Sequence, residues 1–69
     1  MTDDEITKAA KEAAALICQL GQGQADDSIS IALLAVIDAG RRCGVSDSVV
    51  WDMMLDMYRA GLSPRKVDA

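Results

Sequence analysis

Apolar residues recur along this chain in three blocks separated by glycines. In the first block, Ile6, Ala10, Ala13, Ile17 and Leu20 are separated by four, three, four and three residues. That spacing lays one apolar stripe along a helix. Thr2 and Glu5 stand at capping-box separation, so each side chain can bond the other's backbone amide. Asp3, Asp4 and Glu5 lie where the helix dipole favours negative charge. The pattern predicts a helix over 3–20, closed at Gly21. Alanine fills the first half of its seam, which lets another backbone approach closely.

The second block follows the polar loop GQGQADD, in which Asp26, Asp27 or Ser28 can cap a helix. Between Ile29 and Ala39 only Ser30 and Asp38 are polar. A stretch of this length, rich in Ala and Leu, points to a helix rather than a buried strand. It predicts a central helix over 27–42 with most of its surface covered. Arg41 and Arg42 sit at its favoured cationic end, and Gly40 or Gly44 closes it.

The third block has the sharpest limits. Ser46 is the N-cap, Asp47 opens the first turn, and Val45 can staple to Val50. Gly61 fits the left-handed position after a helix, Leu62 the hydrophobic contact beyond it, and Pro64 prevents resumption. A helix over 47–60 is predicted. The expected fold is all-α: a compact three-helix domain over 1–62, with a flexible tail over 63–69.

The last helix holds more apolar surface than one small core can absorb. On a helical wheel, Asp52, Asp56 and Arg59 share a polar strip about 60° wide. One apolar stripe is Val50, Met54 and Met57, flanked by Val49 and Met53. The other is Trp51, Leu55, Tyr58 and Leu62. A core-facing helix needs one such stripe, so two imply two packing partners. Trp51 and Tyr58 are the only aromatic residues in the chain, and their types dominate binding hot spots.

Size and charge narrow the function. A 69-residue chain hides only about 60% of its unfolded surface and is marginal alone. Such domains lean on disulfides, metals or oligomerisation. Cys18 and Cys43 do not form a C-x-x-C pair, and histidine is absent. No metal or cofactor is expected, and the cysteines read as reduced, partly buried apolar residues. Oligomerisation, most simply a homodimer, is the expected supplement. The net charge of −4 opposes the phosphate neutralisation on which nucleic-acid binding depends. The polar, acidic N-terminus is unlike a secretory signal, and the longest apolar run is too short for a membrane span. The expected compartment is the cytoplasm.

Two motifs suggest other chemistry. Residues 36–55 fit a helix-turn-helix, with Gly40, Gly44, Val45, Val50 and Met53 in the packing roles. The string GVSDSVV resembles the turn and recognition-helix start of bacterial repressors. That resemblance implies a DNA-binding transcriptional regulator. Its recognition helix, however, would show Ser46, Asp47, Ser48, Trp51, Asp52 and Leu55 to the groove, where Arg, Lys, Asn or Gln are needed. The second motif, Asp27-Ser28-Ile29, resembles the Asp-Ser-Leu of acyl carrier proteins and implies a prosthetic arm on Ser28. The long loop that carrier proteins place before that serine is missing here, and an N-cap accounts for the pair. Asp52 and Asp56 stand one turn apart, as a solvated face with Arg59 nearby. No phosphate loop and no catalytic cleft are evident.

The expected function is that of a small, acidic, non-catalytic regulator or inhibitor that docks on another protein. Trp51, Met54, Leu55, Tyr58 and Leu62 form the expected partner or dimer face. Asp47, Asp52 and Asp56 form an acidic rim that steers a basic target. By size and charge alone, such binders are comparable to accessory proteins of phages and mobile elements.

Overall fold

Local chemistry sets the helix limits. In the computed structural model, which describes residues 1–62 and Pro64, the chain forms α1 (Asp3–Leu20), α2 (Ala25–Arg42) and α3 (Asp47–Arg59). The described residues contain no strand. Residues 63 and 65–69 lie outside the description, and with them most of the tail expected over 63–69.

The predicted capping box of α1 is present. The Glu5 amide donates to Thr2 Oγ1 at 3.2 Å, and the Thr2 amide donates to Glu5 Oε1 at 3.0 Å. The Thr2 backbone N–H, and after it the Thr2 hydroxyl, hold the Glu5 carboxyl below the usual glutamate range. Ser46 is the N-cap of α3, in extended backbone, and its hydroxyl lies 3.2 Å from that of Ser48.

The start of α2 differs from expectation. Its N-cap is Gln24, ahead of Asp26, Asp27 and Ser28, and the helix begins at Ala25 instead of residue 27. The reason lies in the turn before it. Gln22 and Gly23 both take positive φ, and the Gln24 amide donates back to the Gly21 carbonyl at 2.9 Å. The chain re-enters helix at once, so Asp26 and Asp27 fall in the first turn and serve the dipole without capping.

All three helices close the same way. The residue two beyond the C-cap (Gly21, Cys43 and Ala60) sends its amide back to a carbonyl five residues earlier: Gly23 to Cys18, Val45 to Gly40, and Leu62 to Met57. These are Schellman turns, which consume carbonyls that would otherwise lack partners. Gly44 and Gly61 supply the left-handed residue at φ +74 and +78, a conformation most side chains resist. Gly44, rather than Gly40, therefore ends α2, and α3 ends at Arg59 with Ala60 as its cap.

Gly40 is instead an interior helical residue with a packing role. A Cβ there would stand 2.5 Å from Val50 Cγ2, so glycine lets α3 lie against α2. Gly21 plays the same part for α1: a Cβ there would stand 2.8 Å from both Cα and N of Ser28. Ser28 and Val50 are the buried side chains at the two crossings, 9% and 8% exposed.

The crossings lie at opposite ends of α2. Twelve residues separate Ser28 from Gly40, a rise of about 18 Å and a rotation of about a third of a turn. Packed helices sit only about 8–10 Å apart. Accordingly α1 and α3 each pack on α2 and make no close contact with each other. The three helices share no common core. Val50 is the one buried hydrophobic residue among those described. The expectation that α2 would be mostly covered fails here: Ile29, Leu33, Leu34 and Val36 are exposed. A helix met by its neighbours at two points loses only two patches of surface. Both cysteines are free and exposed rather than partly buried. No helix among the described residues is long and apolar enough to cross a membrane.

Candidate functional site

The two apolar stripes of α3 have different surroundings. Val50, at the glycine crossing, is buried, and Met53, Met54 and Met57 beside it are half-buried. The stripe of Trp51, Leu55, Tyr58 and Leu62 is exposed, with Trp51 at 57% and Tyr58 at 75%. The polar strip of Asp52, Asp56 and Arg59 is also exposed. One stripe therefore meets the rest of the chain and the aromatic one faces water.

Around the exposed stripe, Trp51, Leu55, Tyr58 and Leu62 enclose a shallow hollow of about 420 Å³ whose floor includes Met54 and Met57. Every residue sequence reasoning assigned to a partner face thus lines one concavity. A second hollow was not foreseen. It lies between α2 and α3, has a volume of about 290 Å³, and is walled by Val36, Ala39 and Cys43 on one side and by Met53, Met54 and Met57 on the other. Met54 and Met57 border both hollows. The apolar surface is thus continuous from α2, over the methionines, to Trp51 and Tyr58. A signal for the second hollow was present in the pairing of an interior helical glycine, Gly40, with apolar positions within the turn before it, Val36 and Ala39. It could not be read without knowing which residue would fill the notch.

The acidic rim is less uniform than its sequence suggests. Asp47 is paired with Arg41: Arg41 Nε donates to Asp47 Oδ1 at 3.1 Å and Nη2 to Oδ2 at 2.8 Å. This two-pronged bond spans the α2–α3 turn, and both groups remain exposed. The hydrogen bond from Arg41, more than its charge, holds the Asp47 carboxyl below the usual aspartate range. The same bond raises the Arg41 guanidinium. Arg42 is bonded to Asp38 one turn back at 2.7 Å. Asp52 and Asp56 lie beside the aromatic stripe, and Asp47 lies at the turn. No group of three or more Asp, Glu or Cys residues converges to hold a metal ion among the described residues.

A depressed carboxylate stabilises the fold above its ordinary pKa and loses that contribution as pH falls through the depressed value. The Arg41–Asp47 bond is therefore expected to hold the start of α3 at neutral pH and to fail only below the usual aspartate range. Exchange of the hydrogen-bonded amides 50–54, each corrected for its intrinsic pH dependence, should show this loss. In Asp47→Asn the same amides should exchange faster at neutral pH and lose that step. Identical profiles in both proteins would show that the bond contributes nothing.

The second motif also has a definite placement. Ser28 lies inside α2, with its hydroxyl against Gly21 at the α1 crossing. A prosthetic arm attached there would have to displace α1.

No family model matches the chain, and neither a curated protein nor a solved structure matches it.

Proposed function

We propose that this chain is a non-catalytic regulator or inhibitor that acts by docking on another protein through the outer face of α3. One observation carries this proposal. Trp51 and Tyr58, the chain's only aromatic residues, are exposed two turns apart on one stripe of a helix whose other apolar stripe already packs against α2. Amphipathic aromatic rings are disfavoured in water and are the usual anchors of interfaces. The methionine floor adapts to the shape of what lands on it. Asp52 and Asp56 at the edge favour a target with basic residues around an apolar centre, and they would act chiefly on the association rate. The two unpaired cysteines suit a reducing compartment such as the cytoplasm.

DNA recognition is less well supported. The exposed start of α3 offers Ser46, Asp47, Ser48 and Asp52, none of which carries the positive charge that neutralises phosphate. Arg41, the nearest cation, is already bonded to Asp47. Retarded mobility of duplex DNA at low salt would revive that alternative.

The docking proposal is tested by affinity capture from the native host. The wild-type chain is compared with Trp51→Ala/Tyr58→Ala, both first shown to have equal helical circular dichroism. The expected result is at least one protein retained by the wild type and lost from the variant. Identical sets of captured proteins would refute the docking face.

A further inference from the structure

We infer that the apolar face formed by the α2–α3 groove and the aromatic ridge of α3 is covered by a second copy of this chain. In this pairing the ridge of each copy sits in the groove of the other. The inference rests on the proposal that the outer face of α3 is a docking surface, and it names what covers that surface until a target displaces it.

Four observations favour a second copy. First, the chain needs cover before any target is met. With Val50 as the one buried hydrophobic residue among those described, no core exists to offset the ordering of the backbone, about 1–2 kcal/mol per residue. An occupant required whenever the chain is folded must be present whenever the chain is made, and another copy meets that condition.

Second, the face contains both halves of a fit. The groove between α2 and α3 is concave and apolar, walled by Val36, Ala39, Met53 and Met57. Beside it the rings of Trp51 and Tyr58, which form the rim of the shallower hollow, stand exposed to solvent and make the ridge. A two-fold contact uses the same patch on both copies, so it requires a surface that complements itself. Groove and ridge on adjoining faces of one helix meet that requirement.

Third, no aspartate, glutamate, lysine or arginine lines either hollow. Two chains of net charge −4 can therefore meet here without burying like charges. Asp52 and Asp56 stay at the edge, in water.

Fourth, the area suffices. The apolar strip runs on along α2 through Leu33 and Ile29, one and two turns from Val36 on the same face. The exposed parts of Ile29, Leu33, Val36, Trp51, Leu55, Tyr58 and Leu62 amount to roughly 750 Å², taking about 200 Å² for a large apolar side chain. A standard interface hides about 800 Å² per partner.

The test is sedimentation equilibrium of the 69-residue chain at micromolar concentration, with far-UV circular dichroism in parallel. The expected mass is twice the chain's 7.3 kDa. Val36→Lys charges the groove and Tyr58→Glu charges the ridge, both at exposed positions. Each should weaken association about 30-fold or more, the effect of losing one hot spot. Mixed in equal amounts, the two variants should regain the doubled mass, because one groove–ridge contact is then charge-paired and the other is wild type. If either variant unfolds alone, the mixture should recover helicity together with mass. A wild-type monomer overturns the inference, as does a dimer indifferent to both substitutions or a mixture that fails to recover. A monomer that still captures another protein through Trp51 and Tyr58 overturns the second copy but leaves the docking proposal standing. A dimer whose captured proteins do not depend on those residues removes the docking proposal but not the pairing.

Discussion

Alanine at Gly21 will release α1 from α2. The new methyl group would stand 2.8 Å from the Cα and N of Ser28, closer than real Cβ contacts occur. The obstacle is backbone in the first turn of a helix, so no side-chain rotation relieves it. Gly21 has φ −81 and ψ 6, a conformation alanine accepts freely. Conformational strain therefore plays no part, and the effect isolates the contact. Overpacking of this kind costs about 1–3 kcal/mol, and a collision with backbone belongs at the upper end. α1 has no buried residue and packs on α2 alone, so little opposes its departure. Hydrogen exchange should show protection across 3–20 falling about 10- to 100-fold, the Boltzmann equivalent of that cost, while α3 keeps its own. Equal loss in all three helices would mean that α1 is not held independently.

Valine at Gly40 will do the same to α3. Its Cβ would meet Val50 Cγ2 at 2.5 Å, and its two further methyl groups deepen the clash. Val50 is β-branched and stiff at χ1 in a helix, so it cannot swing clear. A loss of about 2–3 kcal/mol is expected, seen as faster exchange across 47–59 with 3–20 unaffected. A milder substitution gives the sharper test. Gly40→Ala gains about 1 kcal/mol of helix propensity against the same methyl–methyl collision. Val50→Ala should then cost less in that background than in the wild type. Residues in contact show coupling of about 0.5–3 kcal/mol in such cycles; additive effects would show that Gly40 and Val50 do not share a contact.

The two glycines illustrate what could and could not be read beforehand. Gly61 is legible because a left-handed helix end is a local event, completed within six residues, whereas Gly44 stands beside Gly40 as an alternative close of α2. Gly40 was ambiguous because an interior glycine carries no local mark of the side chain that will lie against it. Gly21 fell at the expected boundary, but its contact with Ser28 depends on how the next helix folds back. The sequence marks Ser28 as a cap or a modified serine, and in the fold it is a packing residue because α2 begins three positions before it. The sequence places Asp47 in an acidic rim with Asp52 and Asp56. Its bond to Arg41 depends on the sharp turn that brings the end of α2 beside the start of α3.

The candidate site divides along the same line. Helical periodicity alone identified the stripes of α3 and singled out Trp51, Leu55, Tyr58 and Leu62. The groove beside them needs residues from α2, and no pattern along one helix announces a space shared between two.

By itself, then, the sequence determined three helices, their ends to within two residues, and the two apolar stripes of α3. These follow from capping, glycine turns and a 3.6-residue period, all of which act over a single turn or a single helix. Only the tertiary structure decided which stripe turns inward. Both stripes are apolar and similarly spaced, but the crossing at Gly40 is a narrow notch. Val50 is small enough to fill it, whereas the rings of Trp51 and Tyr58 are not, and so the aromatic stripe of α3 is the one left facing water.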